Sequence, residues 1–104
     1  MADRNALPAG LLEDVKNQLD VTWSDEATDR KYEGYIAQGM AYLDKKLGAS
    51  DYTADGDPRT LLMEYVRYAR DHALDVYENN YRSLILGAQH DREVMRFVEG
   101  TLQG

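Results

Sequence analysis

From Pro58 to Leu86 the sequence keeps a helical apolar period for 29 residues without an internal Gly or Pro. Asp57 followed by Pro58 reads as an N-cap and a first turn, and Gly87 as the stop. The first half of this segment places Leu61, Leu62, Tyr65, Val66, Ala69, Ala73 and Val76 toward a core. Further along, the apolar arc rotates to Leu74, Tyr77, Tyr81, Leu84 and Ile85. Glu64, Arg67, Asp71, Asp75, Glu78 and Arg82 take the opposite face, with Glu78 and Arg82 in the favourable i,i+4 order. At about 1.5 Å per residue such a rod is roughly 44 Å long. A compact chain of 104 residues has a radius of gyration of roughly 13 Å, equivalent to a sphere about 33 Å across. The rod is therefore expected to protrude by about two turns, and the side chains at its far end need cover. A bend near Asn79-Asn80, or the first helix, is one source of cover; copies of the chain covering one another is the other.

Two shorter helices precede it. Leu7, Leu11, Leu12, Val15 and Leu19 recur at steps of three and four and predict a helix over about Pro8 to Leu19. Val21-Thr22-Trp23 reads as a linker with its indole under the bundle. Ser24 is the expected N-cap of the second helix, about Asp25 to Leu47, with Asp25 and Glu26 at the positive end of its dipole. Its stripe is Tyr32, Ile36, Gly39, Met40, Leu43 and Leu47; Gly39 lies within it, where a missing side chain lets another helix approach closely. Gly34 falls on the polar face, where it costs about 1 kcal/mol relative to Ala. Residues 48–57 form a polar loop, and after Gly87 a short tail carries Val94, Met95, Phe97, Val98 and Leu102 on a last amphipathic turn or two. The pattern predicts an all-α fold: a small bundle of three to four helices with one long C-terminal helix and a short tail, residues 1–90 as the helical domain and 91–104 as a tail or short helix.

No apolar run approaches the roughly 20 residues that span a bilayer. The first residues lack the basic-then-apolar order of a secretory signal. The absence of Cys removes disulfides, thiolate nucleophiles and Cys-ligated zinc together. A formal charge of −7 argues against a partner gripped through phosphates. Residues 1–29 hold two basic and seven acidic side chains, so the excess is concentrated at one end.

Chemistry-bearing constellations are sparse. His72 sits at the edge of the core face, where a satisfied, partly buried histidine is expected, and His90 sits in a predicted loop without a ligand-spaced companion. Asp71 and Asp75 are an i,i+4 carboxylate pair among Arg67, Arg70 and Glu78, which reads as a solvated charge network. The loop from Asp51 to Asp57 hints at an EF-hand, but Thr53 and Leu62 occupy the third and twelfth positions, where calcium needs oxygen ligands and a bidentate Glu. No phosphate loop, nucleophile elbow or zinc pattern is found, and no helix has a basic face. The expectation is no catalytic site, no metal and no cofactor. Eight Tyr are many for this length, and Tyr35, Tyr42, Tyr68, Tyr77 and Tyr81 flank the core stripes. Either they line a protein interface or they roof a small core.

The order LPAGLLEDVKNQLDVTW, then DEATDRKYEGYIAQGMAYLDKKLG, then DGDPRTLLMEYVRYARDHALDVYENNYRSLILG resembles the small head–tail connector, or adaptor, proteins of long-tailed bacteriophages and prophages. The likeness covers roughly residues 7–90 and rests on the order and spacing of helices. It departs at Leu19-Asp20-Val21, where relatives often carry a basic residue in the middle position. The resemblance implies a non-enzymatic virion protein, made in the host bacterial cytoplasm, that forms a homo-oligomeric ring, usually dodecameric, beneath the portal protein. Such a ring extends the DNA channel, through which double-stranded DNA passes without specific binding, and docks stopper or tail-completion proteins. On this reading Leu74, Tyr77, Tyr81 and Ile85 face a neighbouring subunit. Glu13, Asp14, Asp20, Asp25 and Glu26 border the channel, and Val94, Phe97, Val98 and Leu102 dock onto the portal. The alternative class is a monomeric acidic helical adaptor or nucleic-acid mimic.

Overall fold

A computed structural model describes residues 7–22 and 25–103, with side chains as far as residue 95. Four helices follow one another: α1 (Leu11–Gln18), α2 (Glu26–Leu47), α3 (Asp57–Arg70) and α4 (Leu74–Gln103). The expected all-α bundle with a long C-terminal helix is what forms.

α1 starts three residues later than its periodicity suggests, because Gly10 turns the chain in the left-handed region at φ 81° ahead of it. Leu11, Val15 and Leu19 then bury one face. α2 begins at Glu26, and its N-cap is Asp25, whose carboxylate accepts from the Thr28 backbone N–H at 2.8 Å and from the Thr28 hydroxyl at 2.9 Å. Trp23 and Ser24 lie outside the described residues. Tyr32, Ile36, Gly39, Leu43 and Leu47 are buried along α2, with Met40 at their edge. A Cβ at Gly39 would stand 2.8 Å from both Leu62 Cδ1 and Tyr65 Cδ1, so the bare backbone there is what allows α2 and α3 to meet closely. α3 packs Leu61, Leu62, Met63, Tyr65, Val66 and Ala69 inward, starting one residue earlier than expected, with Gly56 as its flanking residue and Pro58 in the first turn.

The 29-residue rod does not exist. It breaks at Asp71–His72–Ala73, and α4 folds back along α3. His72 takes φ 57°, its N–H bonds the Ala69 carbonyl at 3.2 Å, and the Ala73 N–H reaches back to the Tyr68 carbonyl at 2.8 Å. That pair of bonds is a Schellman cap with His in the position usually held by Gly. The same cap closes α1: Asp20 is at φ 59°, its N–H bonds Asn17 O at 3.3 Å, and Val21 N–H bonds Lys16 O at 2.8 Å. His72 is consequently exposed rather than at the core edge, and Val76, expected inside, is exposed as well.

The expected stop at Gly87 is also absent. α4 runs through it to Gln103, 30 residues and about 45 Å, so His90 is helical and the tail from residue 91 continues the same helix. A Cβ at Gly87 would meet nothing within 4 Å, so its lack of a side chain answers no packing need. The molecule extends 52 × 29 × 23 Å, with a radius of gyration of 14.9 Å. A long helix is present after all, displaced toward the C-terminus and spanning most of the molecule's long axis.

Candidate functional site

α4 is anchored along most of its length. Tyr77 is 1% exposed and its hydroxyl donates to Leu61 O at 2.7 Å. The Tyr81 hydroxyl donates to Glu64 Oε2 at 3.0 Å, and Asn80 Nδ2 to the Tyr68 hydroxyl at 3.0 Å. Lys46 Nζ meets Glu78 Oε1 at 2.7 Å, a nearer partner than Arg82, whose charge still acts on the same carboxylate. Farther on, Gln89 Nε2 donates to Lys46 O at 3.0 Å. Arg92 grips the loop after α2, with Nη1 on Ser50 Oγ at 3.1 Å and Nη2 on the Ala49 carbonyl.

Among the described residues Arg92 is the last whose side chain hydrogen-bonds the bundle. From residue 93 to Gln103 the helix continues for roughly 16 Å. Met95 is 57% exposed and Val94 45%. At the root of this projection lies a surface crevice of about 480 Å³, lined by Leu47, Pro58, Ala88 and Met95 with Asp57, Asp91 and Arg92 at its polar edge. A second depression on the other side of Arg92 is lined by Lys46, Gly48, Gln89 and Glu93. Met95 falls on the same helical face as Leu84 and Ala88, which pack against the core, with the exposed Asp91 between them, so a single apolar side chain of that face stands beyond the core.

The structure divides the expected subunit-contact residues. Tyr77 and Ile85 are buried in the chain's own core, Tyr81 packs against it, and Leu74 is half-buried. Tyr77 and Ile85 thus present no surface to a neighbour, because the break at His72 turns their face inward. Of the expected portal-docking residues, Val94 is exposed on the projecting end; the side chains of Phe97, Val98 and Leu102 lie outside the described residues. Periodicity missed Leu86, which is 56% exposed, because it was counted as the end of a helix rather than its middle.

The tyrosines roof the core. Tyr42, Tyr65, Tyr68, Tyr77 and Tyr81 are linked by ring contacts with centroids 5.1–6.0 Å apart. Burial pushes the Tyr77 and Tyr42 hydroxyls up from their usual pKa, and burial with the Glu64 hydrogen bond pushes Tyr81 up to about 12. The Tyr42 hydroxyl is buried beside the Glu78 carboxylate and the charge of Lys46. Tyr52, which the sequence left in a loop, is 1% exposed and donates to Asp44 Oδ1 at 2.6 Å. An alternation of polar residues around it gave no signal for that.

Glu13, Asp14, Asp20, Asp25 and Glu26 are all exposed, but they are spread along the molecule, Asp14 beside Arg59 at the start of α3 and Asp20 next to Leu19, whose carbonyl meets Arg70 at the end of α3. Asp14 is paired with Arg59 at 3.2 Å, Glu26 with Arg30 at 2.5 Å, and Asp25 is held below the usual carboxylate range by its hydrogen bonds from Thr28. Lys16 is 3% exposed, with Nζ 2.6 Å from Asp29 Oδ1; that hydrogen bond raises its pKa. Asp71 and Asp75 are exposed, and Asp71 pairs with Arg70 at 3.2 Å. In the loop from Asp51, the Asp51 carboxylate accepts from the Thr53 backbone N–H at 2.9 Å and from its hydroxyl, an Asx turn that accounts for these residues without an ion. Among the described residues no three His, Asp or Glu converge as a metal site, and no helix is long and apolar enough to cross a membrane.

The chain matches no protein-family model, no curated protein and no solved structure.

Proposed function

We propose that this chain is a structural head–tail connector subunit of a long-tailed bacteriophage or prophage, assembling as a ring under the portal at one capsid vertex. The observation that carries the reading is the end of α4. Past the last anchor at Arg92, Val94 and Met95 stand in water on two sides of the helix, and Met95 lines a crevice with Leu47, Pro58 and Ala88 edged by Asp57, Asp91 and Arg92. An exposed apolar patch rimmed by charge on a small protein marks a contact surface. The order of helices that resembles the connectors supplies the kind of assembly.

The ring contact is assigned to that projecting end with Leu86, replacing the buried Tyr77 and Ile85. Val94 and its neighbours dock on the portal or on the adjacent subunit; stopper or tail-completion proteins take the opposite rim. The acidic N-terminal region borders the channel, where like charge keeps DNA phosphates from adhering. The proposal includes no catalytic step, cofactor or metal, and it places the protein in the virion.

The test is light scattering and electron microscopy of the chain alone and with the portal protein of its own virus. A ring on the portal is expected, and Val94→Glu with Met95→Glu abolishes it while leaving helix content intact. A wild-type chain that stays monomeric and unbound in the presence of portal refutes the reading.

A further inference from the structure

We propose that the bend at Asp71–His72–Ala73 is a hinge through which α3 and α4 fuse into one helix and exchange α4 between two copies of the chain. The hinge contains neither Gly nor Pro, and the apolar and polar pattern of a helix runs through it without interruption. His72 adopts φ 57°, a conformation that side-chain-bearing residues rarely take and that a continuous helix would relieve. Asp71 and His72 are both exposed, so straightening disturbs no core contact of their own. Short strained connections of this kind favour exchange of an element between copies.

Straightening would cost the α3–α4 interface and also the ties of Glu78 and Gln89 to Lys46 and of Arg92 to the loop after α2, and the geometry shows where the α3–α4 interface is remade. Leu61 with Tyr77, Glu64 with Tyr81 and Tyr68 with Asn80 are hydrogen-bonded pairs 12–17 residues apart. On one continuous helix such residues lie roughly 18–26 Å apart, so they cannot meet within a chain. They can meet between two antiparallel chains. The sequence midpoints of the three pairs all fall within residues 69–74, so a two-fold axis through the hinge restores them together. The occupant of the surface vacated by α4 is therefore α4 of a second copy, whose buried Tyr77 and Ile85 fit it residue for residue. This holds independently of the connector reading and needs no portal.

The test uses the full chain alone, after concentration and annealing, by light scattering and circular dichroism. Asp71→Ala with His72→Ala, which favours helix across the bend, raises the dimer-to-monomer ratio by at least about tenfold relative to wild type, with helix content retained. His72→Gly, which relaxes the bend, lowers it. The chain contains no Cys. A copy of the alanine variant carrying Glu64→Cys mixed with one carrying Tyr81→Cys is therefore joined by a short bis-maleimide only across an exchanged interface. A hinge variant that loses helix, stays monomeric, or dimerises without the 64–81 cross-link overturns the proposal.

Discussion

The Tyr77 hydroxyl donates to the Leu61 carbonyl at 2.7 Å, and both residues are buried where α4 folds back on α3. This contact ties the two halves of what reads in sequence as one rod. Tyr77→Phe keeps the ring contacts with Tyr42, Tyr65, Tyr68 and Tyr81 and removes only the hydrogen bond, so it costs about 1 kcal/mol. Tyr77→Ala empties the centre of the aromatic roof and costs about 3–5 kcal/mol. Urea unfolding of both variants checks the order.

Two glycines within helices have opposite meanings. Gly39→Ala gains about 1 kcal/mol of helix propensity but forces a methyl against Leu62 and the Tyr65 ring, an overpacking cost of about 1–3 kcal/mol, so a net loss is expected. Gly87→Ala meets open space and stabilises by about 1 kcal/mol. Equal effects in thermal melts would contradict the close approach of α2 and α3.

Both left-handed caps are occupied by residues with a side chain. Replacing Asp20 or His72 by Gly is expected to stabilise the closed fold by about 1 kcal/mol each, or roughly 4–8 °C for a chain of this size. His72→Ala has the opposite sign, because Ala tolerates φ 57° no better and brings no polar group. Melting temperatures of the three variants decide it.

Stability should fall at both pH extremes, through different groups. Lys16 and Tyr81 have raised pKa values, the first from its hydrogen bond to Asp29, the second mainly from burial. Their contributions are complete below the unfolded values, near 10, and are lost as pH rises through the folded ones, which for Tyr81 is about 12. Asp25 and Glu78 are lowered, by hydrogen bonds from Thr28 and from Lys46. Their contributions are present above about pH 4 and are lost as pH falls through the depressed values. Unfolding followed from acid to alkali, with tyrosinate absorbance on the alkaline limb, should show a plateau between. Lys46→Met should move the acid limb upward, since Glu78 then loses the partner that lowers it.

Sequence alone carried the helical class, the stripe of α2, the close approach at Gly39 and the inward residues of α3, because each rests on strong periodicity over consecutive turns. The end of α1 near Leu19 was legible too, but the Schellman cap of α3 was not: His72, a residue type that tolerates the left-handed region, ends α3, and Gly87 ends nothing. One missed cap moved the long rod from residues 58–86 to 74–103 and turned Tyr77 and Ile85 from a presumed outer face into the core. Tertiary packing decides such a break: a helix that can fold back and bury an aromatic face does so when a single residue accepts the turn. The apolar residues Val94 and Met95 were visible in the sequence, but their exposure past the last anchor was not, since that depends on where α4 begins.

Arg92 fastens the shaft of α4 to Ala49 and Ser50, at the exit of α2, just before the helix leaves the body. Force applied to the free tip is thereby handed to the inter-helix turn instead of being absorbed as flexing along the rod. One guanidinium thus couples the end of α4 to the rest of the molecule.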